Sequence, residues 1–313
     1  MEIEVLIPTL DGDGRLREVL GSIRAQTLRP AVCVIDNGSG EPTRKVIAEF
    51  EEVRVVRSER NLGFGAALNL GVRDSRAELI VFLNDDAVAD PGFIERLAAV
   101  RAASGAEMIA GCLVRPDGVI DSGGVQIDRS LIGYDLFHGE PYGRPEHRGR
   151  APLAPSGGAA AFDRDAFAAV GGFDESFFAY LEDVELGIRM SAAGMRCAPA
   201  YDALAWHRHS ATLGSGSSRK NLLMGRSRGY LLRKYRHQLS LGDRLRGAVI
   251  DAVTYAGQIA IDRNAGALRG RLAARGLRPR SPWNGPVELG AVPRREIGAA
   301  AALRVRLGRR RAG

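Results

Sequence analysis

The sequence predicts an α/β protein with a mostly parallel, doubly wound sheet and a C-terminal helical extension. Three observations carry that expectation. Within the first 83 residues, four apolar runs of strand length alternate with three stretches of helical periodicity, the pattern of a parallel sheet wound with helices. Two of those runs are closed by acidic clusters, Asp36 and Asn84-Asp85-Asp86. After His209 the chain becomes helical and basic.

The elements follow in order. Glu2–Pro8 carries Ile3, Val5, Leu6 and Ile7 and reads as a strand ended by Pro8-Thr9. Asp13–Gln26 places Leu16, Val19, Leu20 and Ile23 at three-and-four spacing, an amphipathic helix. Ala31–Ile35 is a second buried strand, followed by Asp36-Asn37-Gly38-Ser39-Gly40, which has turn chemistry. Thr43–Glu51 reads as a helix, Val53–Arg57 as a strand, Gly65–Ser75 as a helix and Glu78–Leu83 as the fourth strand. Pro91–Ala103 is the next helix, with proline where a first turn tolerates it.

Beyond residue 105 the regular alternation stops. Met108–Leu113 and Gly118–Ile127 are expected as strands, and Gly133–Pro152, rich in Gly, Pro, Arg and His, as a long loop of the kind that serves as a lid or acceptor element. Gly157–Phe162 and Asp163–Val170 resume as strand and helix, and Phe178–Ala193 is a further helix with Leu181, Val184 and Ile188 facing inward. Lys220–Arg236 and Leu241–Ala274 are basic helices, the second broken near Asn264-Ala265-Gly266. Pro279–Gly313 is an Arg-rich tail with one short helix expected at Ala299–Leu307. The division this suggests is a body at 1–212, in halves of about 1–105 and 106–212, an extension at 213–278 and a tail at 279–313.

Composition narrows the function classes. The 313 residues are 45% hydrophobic, yet no apolar run reaches membrane-span length, and Met1–Val5 enters a strand with no export signal ahead of it. Cys33, Cys112 and Cys197 are odd in number and sit in apolar contexts, so reduced core thiols and a cytoplasmic location are expected. The net charge of +7 conceals a division: residues 208–313 hold 23 of the 44 Lys+Arg and 5 of the 37 Asp+Glu, a net +18, against −11 for the rest. That asymmetry points to an anionic partner for the last third, such as a membrane surface or a polyprenyl phosphate. Nucleic acid is disfavoured, because the segment lacks interleaved aromatics and any known binding module. Gly63-Phe64-Gly65 lacks the third glycine of a dinucleotide loop, and no Gly-Lys-Ser/Thr phosphate loop occurs, which disfavours nicotinamide enzymes and ordinary NTPases.

Four constellations remain. Asp36 can accept a hydrogen bond from a base or ribose over the sheet edge, or simply hold its own turn. Asn84-Asp85-Asp86 can hold Mg²⁺ or Mn²⁺ through one or two carboxylates shared with substrate phosphates, or form a solvated turn. Glu182-Asp183, among Phe173, Phe177, Phe178 and Tyr180, suits a desolvated general base, or merely a charged first helical turn. Glu185 and Arg189 are four apart, the spacing of a surface pair. His207, in Trp206-His207-Arg208-His209, is a metal-ligand candidate or a structural imidazole.

Taken in order, these stretches resemble the family-2 nucleotide-sugar glycosyltransferases of GT-A fold, a Rossmann-like architecture, and in particular their rhamnosyltransferase-like branch. The matching segments are Ile7-Pro8-Thr9, Val34–Ser39, Asn61–Gly71, Phe82–Asp86, Gly171–Phe178, Leu181–Leu186 and Trp206-His207, spread over residues 3–235. The resemblance implies that Thr9 and Asp36 contact the donor's pyrimidine and ribose, and that Asn61 and Gly63 belong to a segment closing over the nucleotide. It implies a donor-site Asp-x-Asp-like element at Asp85 and Asp86, with Asn84 where many relatives carry Asp. Asp86 and His207 would hold Mg²⁺ or Mn²⁺, with His209 as the other candidate histidine, and Asp183 would be the catalytic base. Arg226-Ser227-Arg228 departs from a commoner Arg-Asn pattern, leaving a phosphate contact there open. The expected activity is inverting sugar transfer from a dTDP- or UDP-sugar, foremost dTDP-L-rhamnose, to a glycan or polyprenyl-linked acceptor at the inner membrane face. UDP-hexose or galactofuranose transfer and a catalytically silent nucleotide- or glycan-binding relative are the alternatives.

Overall fold

The computed structural model describes residues 1–207, 216–277, 283 and 285–297. His209, the expected helix at Ala299–Leu307 and the Arg-rich end therefore lie outside the described residues.

The first half builds as the periodicity requires. β1 (Ile3–Thr9), α1 (Asp13–Arg24), β2 (Ala31–Asn37), α2 (Glu41–Ala48), β3 (Arg54–Ser58), α3 (Phe64–Val72) and β4 (Leu79–Leu83) follow in sequence. The strands lie side by side as β3-β2-β1-β4, all parallel. α1 buries Leu16, Val19, Leu20 and Ile23, the stripe read from the sequence. Strand order reverses between β1 and β4, and in open α/β sheets ligands gather at such a reversal, beyond the carboxyl ends of the strands.

The second half changes direction. β5 (Ala87–Ala89), α4 (Phe93–Ser104) and β6 (Met108–Val114) precede β7 (Ile120–Ser122), β8 (Val125–Ile127) and β9 (Gly133–Asp135). Then come β10 (Ala159–Asp163), α5 (Arg164–Ala169), α6 (Glu182–Ala192) and β11 (Cys197–His207). β10 runs antiparallel between β4 and β6, β11 runs parallel to β6, and β5 pairs antiparallel with β11. The sheet is therefore parallel from β3 to β4 and mixed beyond β4. The single strand expected at Gly118–Ile127 is two: β7 pairs with β6, while β8 forms a separate hairpin with β9. The stretch expected as a loop at Gly133–Pro152 packs down instead, with the Phe137 and His147 rings 4.1 Å apart beside Tyr201. The helix expected from Phe178 begins only at Glu182, because Tyr180 and Leu181 adopt left-handed backbone angles, φ 68° and 65°.

α7 (Ser218–Tyr235), α8 (Leu241–Ile261) and α9 (Gly266–Ala273) follow, and the inner residues of α7 share the main core. Tyr230, Leu231 and Tyr235 pack with Phe173, Phe177 and Leu186. Glu185 and Arg189 are not a surface pair. Both are wholly buried, with Arg189 Nη2 2.8 Å from Glu185, which also accepts from Lys234 and the Tyr235 hydroxyl. Cys33, Cys112 and Cys197 are free thiols.

Candidate active site

The register of the parallel strands assembles the first group. Thr9 ends β1 opposite Asp36 of β2, and Asp36 lies opposite Arg57 of β3. Asp36 is fully buried, accepting from the Ser39 amide at 2.8 Å and from Arg57 Nε at 2.9 Å. Its own turn is thus held, while Arg57 and Arg44 sit at its outer oxygen. Asn37, the next residue, staples the loop that follows β3: its side chain accepts from the Leu62 amide and donates to Asn61 and the Gly63 carbonyl. Gly63 has φ +91°, and a Cβ there would lie 2.3 Å from the Phe178 carbonyl, so only glycine lets this loop meet the segment leading to α6.

The second group forms where β4 ends. Asn84, Asp85 and Asp86 make the turn into β5, with the Ala87 amide returning to the Asn84 carbonyl at 3.2 Å. Asp85 accepts from the Thr9 hydroxyl at 2.7 Å. Burial pushes its carboxyl up to about 6 against the lowering effect of that hydrogen bond, and the charge of Asp86 adds to the rise. Since β11 pairs with β5, its last residue, His207, stands directly opposite Ala87 and beside Asp86. His207 Nε2 is 3.2 Å from Asp86 Oδ1, and Nδ1 is 2.7 Å from Asp121 Oδ2. Burial disfavours the imidazolium, yet the hydrogen bonds to Asp121 and Asp86 outweigh it and lift His207 to about 9.

Asp121 is the residue that sequence reasoning missed. It sits inside β7, buried, in Val-Ile-Asp-Ser-Gly-Gly, and the signal available was a carboxylate interrupting an apolar run. It fixes one imidazole nitrogen and directs the other at Asp86, the usual way a ligating histidine is oriented.

The donor set fits a divalent cation. Two ligands at right angles, each about 2.1 Å from one Mg²⁺ or Mn²⁺, stand about 3 Å apart, close to the observed separation of Asp86 Oδ1 and His207 Nε2. The imidazolium now neutralises a spot that two carboxylates make negative. Among the described residues no group of three or more His, Cys, Asp or Glu could hold a metal alone. Mg²⁺ in particular is commonly held by one or two carboxylates with substrate phosphates completing the shell.

The third group lies across a glycine pair. The Asn84 amide donates to the Gly158 carbonyl at 3.2 Å, and the Gly157 amide to Asp183 Oδ2 at 3.4 Å, so two consecutive residues link the acidic turn to Asp183. A Cβ on Gly157 would stand 2.7 Å from Phe64 and one on Gly158 2.8 Å from Asn84, so both positions depend on close approach. Asp183 also accepts from the Val184 amide at 2.8 Å. Burial raises its carboxyl to about 6, assisted by the charge of Asp135 at the end of β9. Glu182 is pushed further, to about 8, first by burial and then by Asp183, and its Oε2 has no hydrogen-bond partner. Environment thus holds both acids above the usual carboxylate range, so the pair does not readily carry two charges together. Arg228, by contrast, is a structural residue, buried against Asp251 and the carbonyls of Ser130 and Leu131.

Comparison with known proteins accords with this geometry. Residues 4–171 match the model of glycosyl transferase family 2, more than half of the chain. The O-antigen biosynthesis protein RfbC of Myxococcus xanthus is 29% identical over 67% of this chain and 18% of its own length. An N-acetylglucosaminyl-diphospho-decaprenol L-rhamnosyltransferase of Mycobacterium tuberculosis is 29% identical over 61% of this chain and 71% of its own. The chain therefore spans under a fifth of the first relative and most of the second. Among solved structures, a mannosyltransferase of Pyrobaculum calidifontis in complex with GDP-Man and Mn²⁺ superposes with a TM-score of 0.55 at 18% identity, covering 96% of this chain and 78% of that one. GalNAc-T7 with UDP, GalNAc and Mn²⁺ gives 0.60 at 16%, covering 88% and 54%. The fold is GT-A, and the chain belongs to glycosyl transferase family 2.

Proposed function

We propose that this family-2 chain transfers a sugar from a nucleoside diphosphate donor to a hydroxyl acceptor, inverting the anomeric centre. The observation that carries the reading is the link from Asp86, His207 and Asp121 through Asn84, Gly158 and Gly157 to Asp183. One side can meet a diphosphate and the other can take a proton.

The roles follow from charge and position. Thr9, Asp36 and Asp85 line the carboxyl ends of β1, β2 and β4, where a pyrimidine nucleoside would lie, with Asn61 and Gly63 in the loop beside it. Asp86 and His207 would hold Mg²⁺ or Mn²⁺, which supplies positive charge for the diphosphate that departs. Asp183 accepts the proton of the acceptor hydroxyl as that oxygen attacks the anomeric carbon from the face opposite the leaving group. Base assistance of this kind contributes on the order of 10²–10⁴-fold.

For the donor we favour dTDP-L-rhamnose, and for the acceptor a polyprenyl-linked glycan at the inner face of a membrane; the decaprenol L-rhamnosyltransferase relative supports the rhamnose and the polyprenyl carrier. A UDP-hexose or UDP-galactofuranose is the alternative donor. The test is thermal stabilisation by a series of nucleotide-sugars with and without Mn²⁺, since a ligand that binds the folded state raises its melting temperature. Stabilisation by one donor only in the presence of metal, followed by its consumption on adding acceptor, is the expected result. No stabilisation by any pyrimidine nucleotide-sugar would remove the donor assignment. Metal-dependent binding without hydrolysis or transfer would leave a silent binding relative.

A further inference from the structure

We infer that the outer face of α8 docks the protein on an anionic lipid surface. α8 is 21 residues long, about 30 Å. Its N-terminus is closed by Ser240, whose hydroxyl accepts from the Asp243 amide. Its inner face is fixed: Ile250 packs with Ile132 and Tyr134, Asp251 binds Arg228, and Arg246 binds Asp128. The outer face has no such cover among the described residues. Every exposed residue from Leu245 to Ile261 is apolar, with Leu245 60%, Val249 61% and Ile259 48% exposed. Leu241, 71% exposed, extends the stripe at one end, and Leu268 and Leu272 of α9 add to the exposed apolar surface. Monomeric soluble proteins rarely leave a contiguous surface of this kind bare.

Charge selects the occupant. Exposed Arg244 and Arg263 stand at the two ends of the stripe, and Arg269 is exposed on α9. The acids of the segment are engaged inward: Asp251 with Arg228, Asp243 with Arg129, and Asp262 with Asn221. The chain continuing past Ile297, whose carbonyl accepts from Arg246, carries five arginines and no acid in residues 298–313. A second copy is a poor occupant. Antiparallel pairing would set one copy's Arg244 beside the other's Arg263, and parallel pairing would set each arginine beside its twin. Anionic headgroups neutralise the same arginines, while the apolar stripe enters the acyl boundary. No described helix is long and apolar enough to cross a membrane, so the helix lies on the surface.

The face is also well placed. Arg228 ties α8 to the carbonyls of Ser130 and Leu131 in the β8–β9 hairpin, whose Asp135 acts on Asp183. A surface held by α8 would thus lie one structural layer from the proposed base. Docking itself stands independently of the sugar-transfer reading.

The test is sedimentation of the full chain with vesicles of pure phosphatidylcholine and of an equimolar mixture of phosphatidylcholine and phosphatidylglycerol. Wild type should sediment with the anionic vesicles and not the neutral ones, and added salt should weaken the binding. Leu245→Asp with Val249→Asp, both at exposed positions, should weaken binding at least about tenfold with an unchanged melting temperature. Leu28→Asp, at an exposed apolar position after α1, should leave it intact. Absence of anionic-vesicle binding, or full binding by the double variant, overturns the inference. So does a wild-type dimer, without lipid binding, that the double variant splits, because the face would then serve a second copy. Donor-induced thermal stabilisation, read on the same proteins, reports on sugar transfer separately, so failure of one proposal is distinguishable from failure of the other.

Discussion

Replacing Asp183 with Asn separates the chemistry proposed for this site from the stability of the fold that holds it. The shapes match, and Asn retains the oxygen that accepts from the Val184 amide at 2.8 Å. Only the weaker 3.4 Å contact with the Gly157 amide meets an NH₂ in place of an oxygen. The fold should therefore persist. Transfer should fall on the order of 10²–10⁴-fold, while binding of the nucleotide-sugar and metal stays within a few-fold of wild type.

Stability should move the other way. The Asp183 carboxyl titrates near 6 in the fold against an ordinary 3.8, raised by burial and by Asp135. An acid raised in this sense destabilises the native state once ionised. The penalty is absent below about 3.8, grows between 3.8 and 6, and is complete above 6. Two units correspond to on the order of 3 kcal/mol, so Asp183→Asn should melt higher than wild type at pH 7.5 and converge with it as the pH falls toward 4. Wild-type transfer should decline about tenfold per unit below pH 6 as the base protonates. Glu182→Gln is the matched control, because burial and the neighbouring Asp183 both push the Glu182 carboxyl up toward its neutral form, so an amide there should cost little activity. Near-normal turnover of Asp183→Asn would remove Asp183 from the mechanism. An equal loss of donor binding would make it a scaffold residue instead.

Asp121→Ala should weaken Mn²⁺ binding by about 10–100-fold, measured by titration calorimetry with the nucleotide present, because it removes the acceptor that fixes Nδ1 of His207. Gly63→Ala should lower unfolding free energy in urea by at least about 2 kcal/mol, since the added methyl meets the Phe178 carbonyl at a backbone angle that only glycine adopts freely. Glu185→Ala should destabilise by about 3–5 kcal/mol, because it strands the buried Arg189 and removes a shared acceptor from Lys234 and Tyr235. An unchanged melting temperature in that variant would contradict the buried network.

What the sequence made legible was local. Leu16, Val19, Leu20 and Ile23 declare their helix by spacing, and Asp36 and Asp85-Asp86 declare strand ends by following apolar runs. Whatever depends on pairing between distant strands was hidden. Asp121 is 86 residues from His207, and only the meeting of β7, β6 and β11 brings them within 2.7 Å. The mixed half of the sheet was invisible for the same reason, since the direction of β10 is set by its neighbours and not by its own Ala-rich sequence. Glu185 and Arg189 looked like a surface pair because a four-residue spacing says nothing about which face of a helix is covered. Tyr180 and Leu181 carry no glycine to announce left-handed angles, so the helix start was placed four residues early.

Those two residues bear on function in their own right. Left-handed angles at consecutive non-glycine positions cost on the order of 1–3 kcal/mol each, and they immediately precede two adjacent carboxyls that both titrate high, Glu182 through burial and Asp183, and Asp183 through burial and Asp135. A helix start chosen for stability would avoid all of this with an exposed Ser or Asp cap. Instead the buried network of Glu185, Arg189 and Lys234 and the aromatic packing of Phe173, Phe177 and Tyr230 hold the segment from behind. Local strain supported by a rigid neighbour is the arrangement expected where position matters more than stability. It follows that a variant relieving the strain at the position outside the core cluster, Tyr180→Gly, should lose little melting temperature while lowering transfer, since Asp183 would lose its fixed bearing on the acceptor hydroxyl. Loss of both together would mean that the strained turn serves the fold alone.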